Sequence, residues 1–254
     1  MRFEFGKNWK NFLRDLDKKK IEEAERSLLV NLKLESLNGY KFLDIGCGSG
    51  LFSLAAKNLG AKVTSFDFDF DAVDCAKILK EKYYKDDPDW KIDQGSVLDR
   101  NFLNNLGSFD IIYSWGVLHH TGDMWRAIDN VKLISEKNCL IFISIYNYQK
   151  YFSSFWTLIK KIYNKFYYLR FFLIFIFSFY LLFPSLLKMI ISGKKLDRGM
   201  SLFTDLKDWL GGYPFETATP NQIQDEFKKD FNLISLKTVG KKLGCNEFVF
   251  KKNN

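Results

Sequence analysis

The spacing of apolar residues changes several times along this chain, and the changes mark alternating strands and helices. Short apolar runs, the pattern of buried strands, occur at 41–46, 61–67, 90–99, 108–115 and 139–147. Apolar positions with helical spacing lie between them at 51–60, 71–84 and 124–135. Strands that alternate with helices predict a parallel sheet covered by helices on both faces.

The start of the chain has a different pattern. Residues 1–37 are charged and helical in character, and Phe5, Trp9 and Phe12 recur at the spacing of one buried helix face. This segment is therefore predicted to pack on the sheet domain as a helical extension.

The end of the chain returns to strands. Thr219 or Asn221 is predicted to cap a helix that runs through Lys229. Two strands follow at 231–239 and 246–252. The predicted organisation has four parts: a helical segment at 1–37, an α/β core at 38–147, a hydrophobic and basic helical insertion at 148–200, and the rest of the core at 201–254.

The positive charge of the protein is concentrated in the insertion. The chain has 254 residues and a net charge of +8, and residues 146–200 hold seven Lys and two Arg against Asp197 alone. That local excess equals the whole net charge, so the rest of the chain is neutral on balance. A basic segment of this kind favours a phosphate-bearing partner, either nucleic acid or a membrane surface.

The cysteines and histidines argue against metal and disulfide chemistry. Four cysteines are scattered without a CxxC pair, and His119 and His120 are the two histidines. No metal site and no disulfide framework are expected, which favours a reducing compartment. The first ten residues lack the apolar core of a signal peptide, so a cytoplasmic location is predicted.

A glycine-rich loop joins the first strand to the helix after it. The stretch LDIGCGSG has the spacing Asp44-x-Gly46-x-Gly48-x-Gly50. It matches neither the GxGxxG of dinucleotide loops nor the Gly-Lys-Ser/Thr of P-loops. Glycines let a ligand approach the backbone closely, and a helix N-terminus favours negative charge.

At these residues the sequence resembles the class I S-adenosylmethionine-dependent methyltransferases, whose first motif is an acidic residue followed by alternate glycines. The resemblance covers residues 40–145 and, more loosely, the last strands. It implies a Rossmann-like methyltransferase fold: a doubly wound, mostly parallel sheet of seven strands, here with an aromatic-rich helical insertion after strand five. It also implies S-adenosyl-L-methionine as the cofactor.

The resemblance carries over a set of cofactor-binding residues. They are Asp44, Gly46, Cys47, Gly48, Gly50, Asp67, Phe68, Ser96, Val97 and Trp115. Asp67 ends the second strand, where a carboxylate accepts hydrogen bonds from the ribose hydroxyls. By the resemblance, Phe68 packs on the adenine, Ser96 and Val97 flank its edge, and Trp115 lies near the methionine end. The alternative is a bare turn at the glycines and a helix cap at Asp67.

Within the family, the stretch GVLHHTGD is similar to the ubiquinone-biosynthesis O-methyltransferases. His119 or His120 is the predicted general base, because an imidazole removes a hydroxyl proton near neutral pH. The alternative is a histidine that only caps a helix or packs. That branch often has Glu before His, whereas this chain has Leu118, so a metal role for such a glutamate is not carried over.

Other methyltransferase chemistries lack their motifs here. No Asn/Asp-Pro-Pro-Tyr/Phe motif follows strand four, and no Pro precedes a Cys. The predicted function is O-methylation of a small apolar or amphipathic acceptor. Two alternatives stay open: an RNA or protein methyltransferase that grips its substrate with the basic insertion, and a non-catalytic, membrane-associated protein that binds the cofactor.

The insertion holds an uncharged stretch at 171–187. A membrane span needs about 20 apolar residues, and one crossing would divide the sheet between two sides of a bilayer. Three interpretations remain: a buried cap, a homodimer interface, or a peripheral face on an anionic membrane. Because the insertion follows strand five, it is expected to roof a pocket for a lipid-like acceptor. Trp209, Tyr213 and Phe215 either line that pocket or pack in the core.

Overall fold

The computed structural model describes residues 9, 13–14, 16–179 and 202–254. Seven strands form one sheet. In chain order the strands are β1 Lys41–Ile45, β2 Lys62–Asp67, β3 Trp90–Gln94, β4 Phe109–Trp115, β5 Ser135–Tyr146, β6 Phe231–Lys237 and β7 Cys245–Lys252. The helices described are α1 Lys18–Leu32, α2 Leu51–Asn58, α3 Phe70–Tyr83, α4 Arg100–Asn105, α5 Met124–Leu133, α6 Lys150–Lys165, α7 Leu169–Phe177, α8 Leu202–Gly211 and α9 Pro220–Phe227.

The sheet order is β3-β2-β1-β4-β5-β7-β6. Strands β1 to β5 run parallel, and β7 pairs antiparallel with both β5 and β6. This confirms the predicted doubly wound, mostly parallel α/β fold. The strand order reverses between β1 and β4, so a crevice opens at the carboxyl ends of these strands, where open α/β sheets bind ligands.

Two apolar layers cover the sheet, which explains why its central strands have nearly continuous apolar runs. Ile112 on β4 points into a layer built with α5 and α9, and the adjacent Ile111 points into the layer built with α1 and α2. Both side chains are fully buried. Because both faces are buried, the register of the central strands is fixed.

The prediction missed one helix and misplaced some element ends. Helix α4 was not predicted; it has six residues and begins at an Asp99 cap that accepts hydrogen bonds from the Asn101 and Phe102 amides. Strand β5 begins at Ser135 instead of 139. Helix α9 ends at Phe227 instead of Lys229, and of the two proposed caps it is Thr219 that forms a capping box with Gln222.

The insertion leaves and rejoins the core at one place. Asn147 after β5 pairs with Ala218 in a parallel bridge, and the Ala218 amide donates to the Tyr146 carbonyl. Helices α6, α7 and α8 lie between these points and share an apolar cluster of their own. Phe5, Phe12 and residues 180–200 of the predicted insertion lie outside the described residues. Among the helices described, none combines the length and apolar character of a membrane span.

Candidate active site

The glycine loop between β1 and α2 turns through three positive backbone angles. Gly46, Gly48 and Gly50 have φ values of 73°, 55° and 80°. The amides of Gly46 and Cys47 both donate to the Phe66 carbonyl on β2, which ties the loop to the neighbouring strand. Only glycine adopts such angles at low cost, so the alternate spacing seen in the sequence is a requirement of this turn.

Close packing against Gly46 shows that the loop is built as a cradle. A Cβ atom at Gly46 would lie 2.4 Å from the Val117 side chain. Val117 follows β4, so the end of that strand presses directly on the loop. A bare turn in solvent would leave this space open. The contact explains why position 46 requires glycine, and the role of the loop at the methionine part of S-adenosylmethionine stays a prediction.

Asp67 holds the loop from the end of β2. One carboxylate oxygen accepts a hydrogen bond from the Gly48 amide at 3.0 Å, and the other accepts from the Asp69 amide at 2.9 Å. The cap of α3 is Asp69, whose side chain accepts from Asp71. The alternative role for Asp67 as a helix cap is thus taken by Asp69, and Asp67 lies at the mouth of the crevice.

A cleft beside Asp67 brings together five of the predicted cofactor residues: Gly46, Asp67, Phe68, Ser96 and Val97. Phe68 has 53% of its surface exposed and lines the cleft, and its packing on the adenine stays a prediction. Val97 is buried, and its carbonyl accepts from Asn130 on α5. These positions fit a nucleoside lying between β2 and β3.

Asp44 lies beneath the glycine loop, and its predicted cofactor-binding role stays a prediction. Its side chain is buried, and the Ser53 hydroxyl donates to it at 2.5 Å. The pKa of Asp44 is raised to about 7, mainly by burial. The Ser53 hydrogen bond opposes this rise, and the charge of Asp67 adds to it. Its contacts tie β1 to the start of α2, so it positions the loop from below. Cys47 is also buried, and burial raises the pKa of its thiol well above the ordinary value.

Trp9 is a site residue that sequence reasoning missed. A Cβ atom at Gly48 would lie 2.9 Å from the Trp9 ring, so the indole lies over the glycine loop. The sequence placed Trp9 on a buried helix face but gave no partner for it. The Trp9 indole therefore covers the glycine loop at this point.

Trp115, at the end of β4, lies on the other side of the crevice. Its indole nitrogen donates to the Glu247 carboxylate on β7 at 3.2 Å, and about half of the side chain is exposed. Its predicted role near the methionine end of the cofactor stays a prediction.

His120 is held by a strong contact to the segment that follows α8. Its Nδ1 lies 2.6 Å from the Pro214 carbonyl oxygen. A carbonyl can only accept, so Nδ1 carries the proton. In the neutral ring, Nε2 is then the basic nitrogen, which is the form that a general base requires.

His119 has no such contact. The side chain is fully buried, and neither ring nitrogen has a hydrogen-bond partner among the residues that the structure describes. Burial, followed by the neighbouring His120, lowers the pKa of His119 well below 6.5, against a smaller opposing effect of the Ser144 backbone. His119 is therefore neutral at physiological pH, with one donor and one acceptor unused.

An aromatic cluster adjoins the two histidines through Tyr146. Tyr146, at the end of β5, has its ring centroid 4.1 Å from His119 and 4.8 Å from Phe215. Trp209 lies 5.7 Å from Tyr146, and its buried indole nitrogen has no partner among the described residues. Of the three aromatics proposed from the sequence, Trp209 and Phe215 join this cluster. Buried nitrogens without a partner in two neighbouring side chains call for an explanation.

Glu216 joins the same segment to the core, and sequence reasoning missed it. Its amide donates to the His119 carbonyl at 3.0 Å, and its carboxylate accepts from the Met124 amide at the start of α5. Burial raises the pKa of Glu216. Pro214 and Glu216 thus join the segment after α8 to the histidine turn and to the start of α5.

Sequence comparison agrees with this geometry. A family model described as Methyltransferase domain matches residues 10–171. The ubiquinone biosynthesis O-methyltransferase of Glaesserella parasuis serovar 5 (strain SH0165) is 33% identical over 122 residues, which are 48% of this chain and 52% of the relative. The protein of the same name from Pelagibacter ubique (strain HTCC1062) is 29% identical over 132 residues, 50% of this chain and 52% of the relative. The chain spans about half the length of these curated relatives.

Solved structures share the fold at low identity. The magnesium protoporphyrin IX methyltransferase of Synechocystis PCC 6803 with bound S-adenosylmethionine aligns with a TM-score of 0.54 at 10% identity, over 92% of this chain and 79% of that one. An O-methyltransferase family protein from Burkholderia thailandensis gives 0.58 at 8% identity, over 92% and 57%. Both likenesses concern the fold and agree with the strand order.

Proposed function

The chain belongs to the methyltransferase domain family, and we propose that it methylates an oxygen atom of a small apolar or amphipathic acceptor. S-adenosylmethionine is the methyl donor. When bound, it supplies a sulfonium methyl group that is already activated. The protein's own contribution is then to align the acceptor, exclude water and remove one proton.

The donor is held by the residues around the glycine loop. The loop backbone and Val117 would hold its methionine part, the Asp67 carboxylate its ribose hydroxyls, and Phe68, Ser96 and Val97 its adenine. Trp9 would close the loop side. These assignments extend the family resemblance, and the cleft that brings Asp67, Phe68, Ser96 and Val97 together supports them.

The observation that carries the proposal is the contact between His120 and Pro214. The Pro214 carbonyl fixes the proton on Nδ1 and leaves Nε2 as the basic nitrogen. This base lies on the turn directly after the strand that packs on the glycine loop. A hydroxyl of the acceptor would lose its proton to this nitrogen while the carbonyl stabilises the imidazolium that forms.

The acceptor class follows from the cluster around Tyr146. Its rings are apolar, and the unused nitrogens of His119 and Trp209 offer hydrogen bonds. An acceptor with an apolar body and one or two oxygen atoms satisfies both features. The name of the Glaesserella and Pelagibacter relatives, which specifies O-methylation in ubiquinone biosynthesis, supports the same class.

The first experiment measures donor binding. Calorimetry with S-adenosylmethionine compares the wild type with Asp67→Ala and with the control Asp93→Ala, an exposed carboxylate on β3. We expect binding by the wild type and the control, and a loss of about tenfold or more in Asp67→Ala, because the variant lacks both carboxylate contacts. Equal affinity in all three proteins would contradict the donor site.

The second experiment separates oxygen from nitrogen acceptors. Labelled methyl transfer is measured with an alkylcatechol and with an alkylaniline of the same chain length. We expect product from the catechol alone, and a large loss of turnover in His120→Phe with donor affinity unchanged. Product from the aniline alone would contradict O-methylation. Donor binding without turnover on any acceptor would favour the non-catalytic alternative, and transfer to RNA or protein would favour the other one.

A further inference from the structure

Helix α6 exposes apolar side chains on its outer side. Phe152, Phe155 and Leu158 follow one face of the helix, and each is about half or more exposed. In a helix that packs on a soluble protein, the outer side usually carries polar residues. The outer side of α6 therefore departs from that rule.

The inner side of α6 holds the buried rings of Trp156 and Tyr163 together with two buried polar residues that cap another helix. Lys160 and Asn164 are buried, and their side chains donate to the carbonyls of Trp209 and Gly211 at the end of α8. The last carbonyls of a helix have no partner within the helix, so α6 supplies one to each of these two. The inward polar residues thus have a structural reason, whereas the outward apolar residues have none within the described chain.

Helix α7 extends the same surface. Leu173 and Phe177 are buried, while Phe171, Phe172 and Phe175 point outward. Phe171 is 81% exposed, and Tyr168 just before the helix is 93% exposed. We call Phe152, Phe155, Leu158, Phe171, Phe172 and Phe175 the aromatic face. Contiguous apolar surfaces of this size mark interaction sites.

Positive charge surrounds the aromatic face. No Asp or Glu occurs between residues 137 and 196. Lys150, Lys161 and Lys165 are exposed on α6, and Arg170 stacks over the Tyr163 and Tyr167 rings. Aromatic residues bordered by Lys and Arg are the composition that seats a helix at the boundary of headgroups and acyl chains.

We propose that the aromatic face docks the protein on an anionic lipid bilayer, with the aromatic side chains in the acyl boundary and the cations at the headgroups. The charge distribution favours this occupant over a second copy of the chain. A two-fold interface would bring the same patch together from both copies, and the cations would then face one another without a carboxylate.

Docking would also orient the site toward the lipid. Aromatic contacts lead inward from Phe155 to Trp156 at 5.5 Å, from Trp156 to Trp209 at 5.2 Å, and from Trp209 to Tyr146 at 5.7 Å. Tyr146 contacts His119. The delivery of an acceptor from the lipid along this path rests on the proposed function, whereas docking itself does not.

The test is flotation of the full chain with phosphatidylcholine vesicles and with vesicles that contain about 30% phosphatidylglycerol. The wild type is compared with Phe171→Ser/Phe172→Ser, with Lys161→Glu/Lys165→Glu, and with Val30→Ser/Ile78→Ser. The last pair removes exposed apolar residues from α1 and α3, where the side chains are 68% and 57% exposed. Calorimetry with S-adenosylmethionine checks that each variant is folded.

We expect the wild type and the Val30/Ile78 control to float with the anionic vesicles. The Phe171/Phe172 variant should lose about tenfold or more in partitioning. The Lys161/Lys165 variant should lose the preference for phosphatidylglycerol and its salt dependence. Equal flotation of the Phe171/Phe172 variant and the wild type would overturn the proposal.

Other occupants of the face give different results. A dimer in light scattering that the Phe171/Phe172 change dissociates, without any vesicle binding, would assign the face to a second copy. Binding to an RNA oligonucleotide, but not to vesicles, would assign it to nucleic acid. Either result overturns docking, and intact donor binding in the same samples would leave the proposed methyl transfer standing.

Discussion

At the scale of single residues, the Val117 side chain packs on the Gly46 backbone and helps to shape the glycine loop. The two residues come from different strand ends. The contact leaves no room for a Cβ atom at position 46, so we expect donor binding to depend on glycine there.

Gly46→Ala is expected to abolish donor binding and to destabilise the fold. The matched control is Gly107→Ala, because Gly107 has φ of 91° but nothing within 4 Å of an added Cβ. The control should lower the free energy of unfolding only by the cost of a left-handed backbone for alanine, about 1–2 kcal/mol. Urea denaturation and calorimetry measure both effects. A Gly46 variant that behaves like the Gly107 variant would show that the Val117 contact is unimportant.

Asp44 gives a prediction for pH. Burial raises its pKa from 3.8 in the unfolded chain to about 7 in the folded protein, so the folded state binds the proton more tightly. Its contribution to stability is complete below pH 3.8 and is lost as the pH rises to about 7. Asp44→Asn keeps an oxygen that accepts from Ser53 and removes the titration.

The measurement for Asp44 is urea denaturation across this pH interval. The wild type should lose stability relative to Asp44→Asn as the pH rises, and the two curves should then run parallel above about pH 8. Parallel curves over the whole interval would mean that Asp44 does not titrate in the fold.

At the scale of elements, the insertion is held together by one helix that completes the end of another. Lys160 and Asn164 of α6 donate to the final carbonyls of α8. The segment after α8 then carries Pro214 and Glu216 to the histidine turn. The position of the predicted base is therefore linked to the packing of α6 on α8.

Asn164→Ala is expected to lower the free energy of unfolding by about 1–3 kcal/mol, because it leaves the buried Gly211 carbonyl without this partner. Ser154→Ala, on the exposed side of the same helix, is the control and should be near neutral. Hydrogen exchange should report faster opening of α8 in the Asn164 variant. Unchanged exchange in α8 would show that the cap does not hold the helix.

At the scale of the whole molecule, an insertion begins and ends at one place on the α/β sheet domain, where Asn147 and Ala218 lie side by side. Pro214 and Glu216 join it to the core again at the histidine turn. The glycine loop and Asp67 lie on the part of the sheet that the insertion does not build.

Replacement of residues 149–217 by a short Gly/Ser linker tests this division. The core should stay folded and bind S-adenosylmethionine within a fewfold of the wild type, because none of the donor contacts comes from the insertion. Methyl transfer to an alkylcatechol and vesicle flotation should both be lost. Circular dichroism and calorimetry check the first outcome, and loss of donor binding in a folded variant would contradict the division.

The sequence by itself determined the α/β architecture, the position of the donor loop and the place of Asp67. These features depend on local periodicity and on the spacing of a few neighbouring residues. Helix α4 escaped notice because six residues are too few to show a helical period. Apolar spacing also marks the ends of elements only approximately, so the predicted ends of β5 and α9 were wrong by a few residues.

Tertiary structure alone decided which groups meet at the site. His120 and Pro214 are 94 positions apart in the chain, so the proton on Nδ1 follows from a contact that no local pattern records. The inward turn of Asp44, the cover of Trp9 over Gly48 and the packing of Lys160 and Asn164 against α8 are also products of long-range packing. Side-chain direction depends on what lies opposite, and only the folded chain brings those partners together.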